Sequence, residues 1–195
     1  MDCKIFTDIP YELTMETLNE ELNLRNKKNL LKIVETLLAK TREITRLKAI
    51  YFSGDISEKN DISVAVNGES FGSELLRGYV EKGDRVYPYM VTVGTELDEY
   101  AKTLTDTMDQ IMIDGIMNLL VNKGKVFVAK EVQKEARWDN TQDYVPGNGE
   151  AWSTEEQTRL FDMFGDQSKK IGVTLGDHAF VLPGRSTIGI LSQKK

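Results

Sequence analysis

The sequence predicts an α+β fold, and three observations carry that expectation. Apolar residues recur at helical spacing over two long stretches, 27–47 and 107–137. Short strand-like runs at 49–52, 62–66 and 86–93, with more after residue 170, cluster between the helical stretches instead of alternating with them one for one. No internal repeat or low-complexity linker divides the chain. Residues 1–195 are therefore expected to form one domain, with 1–26 as an N-terminal arm.

Taken in order, the elements have local reasons. Leu30, Val34, Leu37, Leu38, Thr41, Ile44 and Leu47 define the apolar face of the first long helix. A strand over 49–52 ends at Gly54-Asp55. Ile62, Val64 and Val66 alternate up to Asn67-Gly68, a dipeptide that tolerates positive φ at both positions. Because 73–79 reads as a short helix, that turn is expected to open a strand-to-helix crossover and not a hairpin. The 86–93 strand contains Pro88, which has no N–H and belongs on an edge or at a bulge. Thr95 with Asp98 suits a helix cap, followed by Leu97, Tyr100, Ala101 and Leu104 on one face.

The long helix over 107–137 has Ile111, Ile116, Leu119, Leu120, Phe127 and Val128 as its apolar side. Gly115 and Gly124 interrupt it at about 1 kcal/mol each against Ala, which points to close packing by another element. Residues 138–151 read as irregular. Ser153 and Glu156 form a capping box for a helix closing at Gly165. Runs at 171–175, 179–182 and 187–191 are expected strands.

Composition narrows the function classes. A chain of 195 residues, 40% hydrophobic and 29% charged, has material for a real core. Its net charge of −6 without clustered Lys or Arg argues against nucleic acid. The single cysteine, Cys3, excludes an intrachain disulfide and a thiolate metal cluster. The N-terminus lacks the order of a signal peptide, and no apolar run reaches the roughly 18 residues of a membrane span. A cytoplasmic protein that binds neither nucleic acid nor membrane is the expectation. With one histidine, His178, and one cysteine, no metal site is expected. No phosphate loop or nucleophile elbow is present.

The most informative stretch is the C-terminal fifty residues. Asp143-Tyr144-Val145-Pro146-Gly147-Asn148 leads into the helix at Ser153, then Gly172-Val173-Thr174-Leu175, Pro183-Gly184-Arg185 and Ser186-Thr187-Ile188-Gly189. Upstream lie Val93-Gly94-Thr95-Glu96-Leu97 at a strand-to-helix passage and Asp114-Gly115-Ile116 on the long helix. In order and spacing these resemble the activation domain of cobalamin-dependent methionine synthase, in its short stand-alone bacterial form, over residues 30–190.

The resemblance implies a twisted antiparallel sheet with flanking helices, and S-adenosylmethionine bound in a shallow groove at the Pro-Gly loop. Asp143, Tyr144, Val145, Pro146, Gly147 and Asn148 are the implied binding residues, with none catalytic. It also implies an accessory role to a cobalamin-dependent methyltransferase, the cobalamin being carried by a separate corrinoid protein or methyltransferase and the electron by a flavodoxin-like reductant. The chain departs from the family motif at two positions: Asp143 stands where the family has Arg, and Asn148 where it has Tyr. The first reverses a charge and removes a carboxylate fork.

Other residues keep two readings. Trp138, Tyr144 and Trp152 can stack on a ligand or pin the loop to the core. His178 is either a turn residue or the one imidazole available for chemistry. Glu155 and Glu156 suit a helix N-terminus, whereas Asp143 has no such explanation. Arg185 is either a solvated turn residue or the partner of a carboxylate. Two functional classes follow: a cobalamin-reactivation module that binds S-adenosylmethionine, and a non-catalytic scaffold that keeps the fold but binds another small molecule or docks a corrinoid protein.

Overall fold

The computed structural model describes residues 2–147 and 151–194. Its organising element is β6 (Arg85–Thr92), seven of whose eight residues are buried. On one side β6 pairs with β10 (Ser186–Gln193), which in turn pairs with β7 (Thr141–Tyr144). On the other side its partner changes along its length. The C-terminal half meets β2 (Lys48–Tyr51), with β1 (Lys4–Phe6) beyond it, and the N-terminal end meets β3 (Gly54–Lys59), followed by β4 (Val64–Val66) and β5 (Glu69–Phe71). All these pairings are antiparallel, as expected.

Pro88 sits in this central strand and not on an edge. Its carbonyl accepts from Phe52 N–H at 3.2 Å. Its missing N–H faces the gap where β2 ends and β3 begins, the one place on that side where no ladder donor is needed. The expected crossover at Asn67-Gly68 is also corrected. Both residues have positive φ, 51° and 90°, and they close a two-residue hairpin between β4 and β5. The short helix α3 (Glu74–Arg77) begins only after β5, capped by Ser73.

Strand alternation separates two buried faces. Ile50, Phe52, Met90, Ile188 and Ile190 point to one layer, with Trp152, Leu160, Phe164 and Ile171. Ala49, Tyr51, Tyr87, Tyr89, Val91 and Leu191 point to the other, under Val128 and Val132. This second face is crossed by α5 (Thr107–Ala136), a helix of 30 residues capped by Asp106 and ended by Arg137 in the left-handed region. Helices α1 (Met15–Glu21), α2 (Lys28–Ile44) and α4 (Thr95–Thr103) pack on the first half of α5 in a further apolar cluster.

The two interior glycines of α5 are close contacts, as expected. A Cβ on Gly115 would lie 2.5 Å from Leu22 Cδ2, and one on Gly124 would lie 2.4 Å from Val91 Cγ1. Ile111, expected on the apolar side, is 55% exposed; Met112, Ile113, Ile116 and Leu120 carry that face. The first 26 residues contribute β1, α1 and the buried Ile9, Leu13, Leu18 and Leu24, so they are built into the fold.

Two expected caps differ. Gly94 (φ 90°), not Thr95, is the N-cap of α4, and Asp98 instead accepts from Gly184 N–H and pairs with Lys102. Ser153 does not box with Glu156, because α6 (Glu156–Asp162) starts from a helical turn at Glu155 with no side-chain cap. Of the three expected C-terminal strands, the first two are shorter than read and the third, β10, is longer. Gly165–Ile171 and Asp177–Ala179 are 3₁₀ turns, the second holding His178. Between and after them, β8 (Thr174–Leu175) and β9 (Val181–Leu182) form a separate pair.

Candidate functional site

Period-two alternation on β7 sorts the candidate residues. Tyr144, opposite Ile190, points into the apolar layer and is buried, its ring 5.9 Å from that of Tyr79. Asp143, opposite Leu191, points to the α5 face. There its Oδ2 meets Lys125 Nζ at 2.7 Å, and Tyr89 donates from its hydroxyl to Oδ1 at 2.8 Å. Lys125 follows directly on Gly124, the residue that lets α5 approach the sheet.

Gly189 explains the Ser-x-x-Gly pattern physically. A Cβ there would lie 2.7 Å from the Tyr144 carbonyl oxygen and 3.0 Å from the Tyr89 hydroxyl. Only glycine allows β7, β10 and the Tyr89 ring to meet closely enough for the Tyr89–Asp143 bond. Burial, the Asp143 charge and that bond together hold the Tyr89 hydroxyl well above its ordinary pKa, so it acts as a donor.

Past Tyr144 the chain turns at Pro146–Gly147. Gly147 has φ 88°, donates from its N–H to the Trp152 carbonyl at 2.8 Å and lies against Thr154, where a Cβ would be 2.9 Å from Oγ1. Gln157 of α6 donates to the Pro146 carbonyl at 3.4 Å. The turn is thus fixed to the entry of α6. Asn148 lies outside the described residues.

Lys125, Asp143, Val145, Pro146 and Gly147 together line an open groove of about 320 Å³. That is near the lower end of volumes usual for small-molecule sites. The structure therefore gathers Asp143, Val145, Pro146 and Gly147 on one wall and turns the Tyr144 ring away. Sequence reading missed Lys125 and Tyr89, which lie 18 and 54 positions from Asp143 and carry no local motif. Asp143, for which sequence offered no structural explanation, has one in this ion pair.

For the aromatic residues, packing decides. Trp152 is fully buried with its ring perpendicular to that of Phe71, and the rings of Trp138 and Tyr87 meet at right angles 5.4 Å apart. Arg185 pairs with Asp114 of α5, giving it the carboxylate partner. Among the described residues no group of three or more His, Cys, Asp or Glu is placed to hold a metal, and no helix is long and apolar enough to cross a membrane.

The structure is an α+β fold with a branched antiparallel sheet, a long helix across one face and a loop-edged groove. No family model matches the chain, and no curated protein matches its sequence. Among solved structures it is similar to the MetH reactivation domain bound to AdoHcy, with a TM-score of 0.68 at 15% identity. The likeness covers 99% of this chain and 78% of that one. The chain has the fold of the MetH reactivation domain, as the sequence resemblance implied.

Proposed function

We propose that this chain is a reactivation module. It binds S-adenosylmethionine in the Lys125–Asp143–Pro146–Gly147 groove and supports reductive remethylation of a corrinoid held by a separate methyltransferase or corrinoid protein. The observation that carries this reading is the likeness over 99% of the chain to a reactivation domain crystallised with AdoHcy, S-adenosylhomocysteine. The groove beside the Pro146–Gly147 turn supports the placement.

When bound, S-adenosylmethionine supplies a methyl group activated by its sulfonium. The chain's own part is to hold that ligand and present it: the turn fixed by Trp152 and Gln157 offers a rigid wall, and Asp143 and Lys125 offer charges. In this reading residues 1–195 act as one domain, the cobalamin and reductant being on partner proteins. No catalytic acid or base is needed.

A second reading has one specific observation in its favour. The position at which the family motif has Arg holds Asp143, already engaged by Lys125 and Tyr89. A scaffold that docks a corrinoid protein, with another small molecule or none in the groove, accommodates that change. Calorimetric titration with S-adenosylmethionine and S-adenosylhomocysteine separates the two readings. A site of micromolar or tighter affinity, weakened by substitution at Val145 or Gly147, supports the first. No heat and no change in melting temperature up to millimolar ligand refutes it, and co-elution with a cobalamin-loaded corrinoid protein would then support the scaffold.

A further inference from the structure

We propose that Lys125 and Asp143 form a clamp for a zwitterionic α-amino-acid group, Lys125 taking the carboxylate and Asp143 the ammonium. The inference rests on the groove being the ligand site. It names the part of the ligand that the groove recognises through side chains.

Three observations lead there. First, the pair sits on the groove wall with its two side chains 28% and 29% exposed, so both charges are open to a ligand yet partly shielded from water. An ion pair in such a place is stronger than one on an open surface. Second, neither group is exhausted by the other. Among the described residues the Lys125 ammonium meets only Asp143, so two of its three N–H groups remain to donate. Asp143 uses one oxygen for Lys125 and the other for Tyr89, and each oxygen keeps a further lone pair. A ligand can therefore bind both without breaking their mutual contact.

Third, the pair is preorganised. Tyr89 fixes Asp143 from beneath at 2.8 Å, Gly189 makes room for that ring, and Gly124 brings the helix that carries Lys125 against the sheet. The result is a small fixed dipole, cationic on the helix side and anionic on the strand side, with 2.7 Å between the charged atoms. An α-amino acid carries the complementary dipole, ammonium and carboxylate on one carbon. A lone anion or a lone cation would satisfy only half of the wall and be opposed by the other half.

The test is titration of the full chain with S-adenosylhomocysteine, with 5′-methylthioadenosine, which lacks the amino-acid end, and with L-methionine followed by NMR shifts. The expected result is that S-adenosylhomocysteine binds roughly tenfold or more tightly than methylthioadenosine, the effect of charge-assisted hydrogen bonds. Lys125→Met removes that preference while leaving methylthioadenosine affinity within about twofold, and Asp143→Asn, which keeps the shape, lowers it in the same direction. Equal affinity for the two adenosyl ligands, or equal weakening of both by K125M, overturns the clamp and leaves the adenosyl-ligand reading standing. If neither adenosyl ligand binds but methionine shifts groove resonances and K125M abolishes those shifts, the clamp holds and the adenosyl reading falls. Binding of none of the three overturns both.

Discussion

Replacing Gly124 with Ala tests the contact that brings the long helix, and with it Lys125, onto the sheet. On helix propensity alone the change should stabilise by about 1 kcal/mol. The packing opposes this. The new Cβ would lie 2.4 Å from Val91 Cγ1 and 3.3 Å from Leu47 Cδ1, and both neighbours are fully buried. Val91 is β-branched and sits in the strand paired on both sides, so it has no easy rotamer escape. Overpacking of this kind costs about 1–3 kcal/mol, which leaves a net loss of up to about 2 kcal/mol. For a chain of this length that lowers the melting temperature by up to roughly 8 °C.

Gly115→Ala is the internal control. Its clash is with Leu22 Cδ2, the end of a half-buried side chain at the C-terminus of α1, which can turn aside. That variant should be within about 1 kcal/mol of wild type or more stable. Urea unfolding followed by circular dichroism measures both. A double variant, Gly124→Ala with Val91→Ala, should show favourable coupling, since truncating Val91 makes the room. A Gly124→Ala protein as stable as wild type, with no coupling to Val91, would refute the argument that this contact sets the helix–sheet distance.

Three further perturbations isolate single effects. Asp106→Ala removes the oxygen that accepts from Met108 and Asp109 N–H at 2.8 and 3.2 Å, and should cost about 1 kcal/mol in urea unfolding. Gly68→Ala meets nothing within 4 Å but has φ +90°, so its expected loss of about 1–2 kcal/mol in the same assay is backbone strain alone. Alkaline stability depends on Tyr89. Its folded pKa is raised above the ordinary 10, so the folded state keeps a proton that the unfolded chain loses; stability is full below pH 10 and falls as pH rises above it. Urea midpoints measured across that range should fall less steeply for Tyr89→Phe, and tyrosinate absorbance should show one ionisation fewer after unfolding.

What sequence revealed and what it did not follow from the range of the signals. The long helix was readable because its apolar residues recur at helical spacing over some thirty positions, and its glycines were readable as contacts because nothing else justifies their cost in a helix; its Asp106 cap went unread. The Asn67-Gly68 hairpin was missed although its turn chemistry was recognised. The β5 strand after it has only three residues, too few to show alternation, and the helical look of the next segment outweighed it. Pro88 misled for a different reason. The rule that proline avoids central strands assumes continuous neighbours, and here the neighbour changes from β2 to β3 at that residue.

The groove divides in the same way. Its loop was legible because Pro146 and Gly147 are contiguous, but the partners that give Asp143 its meaning come from β6 and α5 and are brought together only by the fold. The exchange of Arg for Asp at this position looks, in sequence, like the loss of a binding cation. In three dimensions a cation is still present, supplied by Lys125 from the helix. Where the family motif implies a single positive charge, this wall carries a neutral pair. A neutral dipolar wall attracts a lone carboxylate weakly and a zwitterion well, because the two Coulomb terms for a lone anion oppose each other at nearly the same distance. With the proposed clamp, raising salt should weaken binding of an amino-acid-bearing ligand less than it would at a wall with one unpaired cation, since no net charge is neutralised on binding.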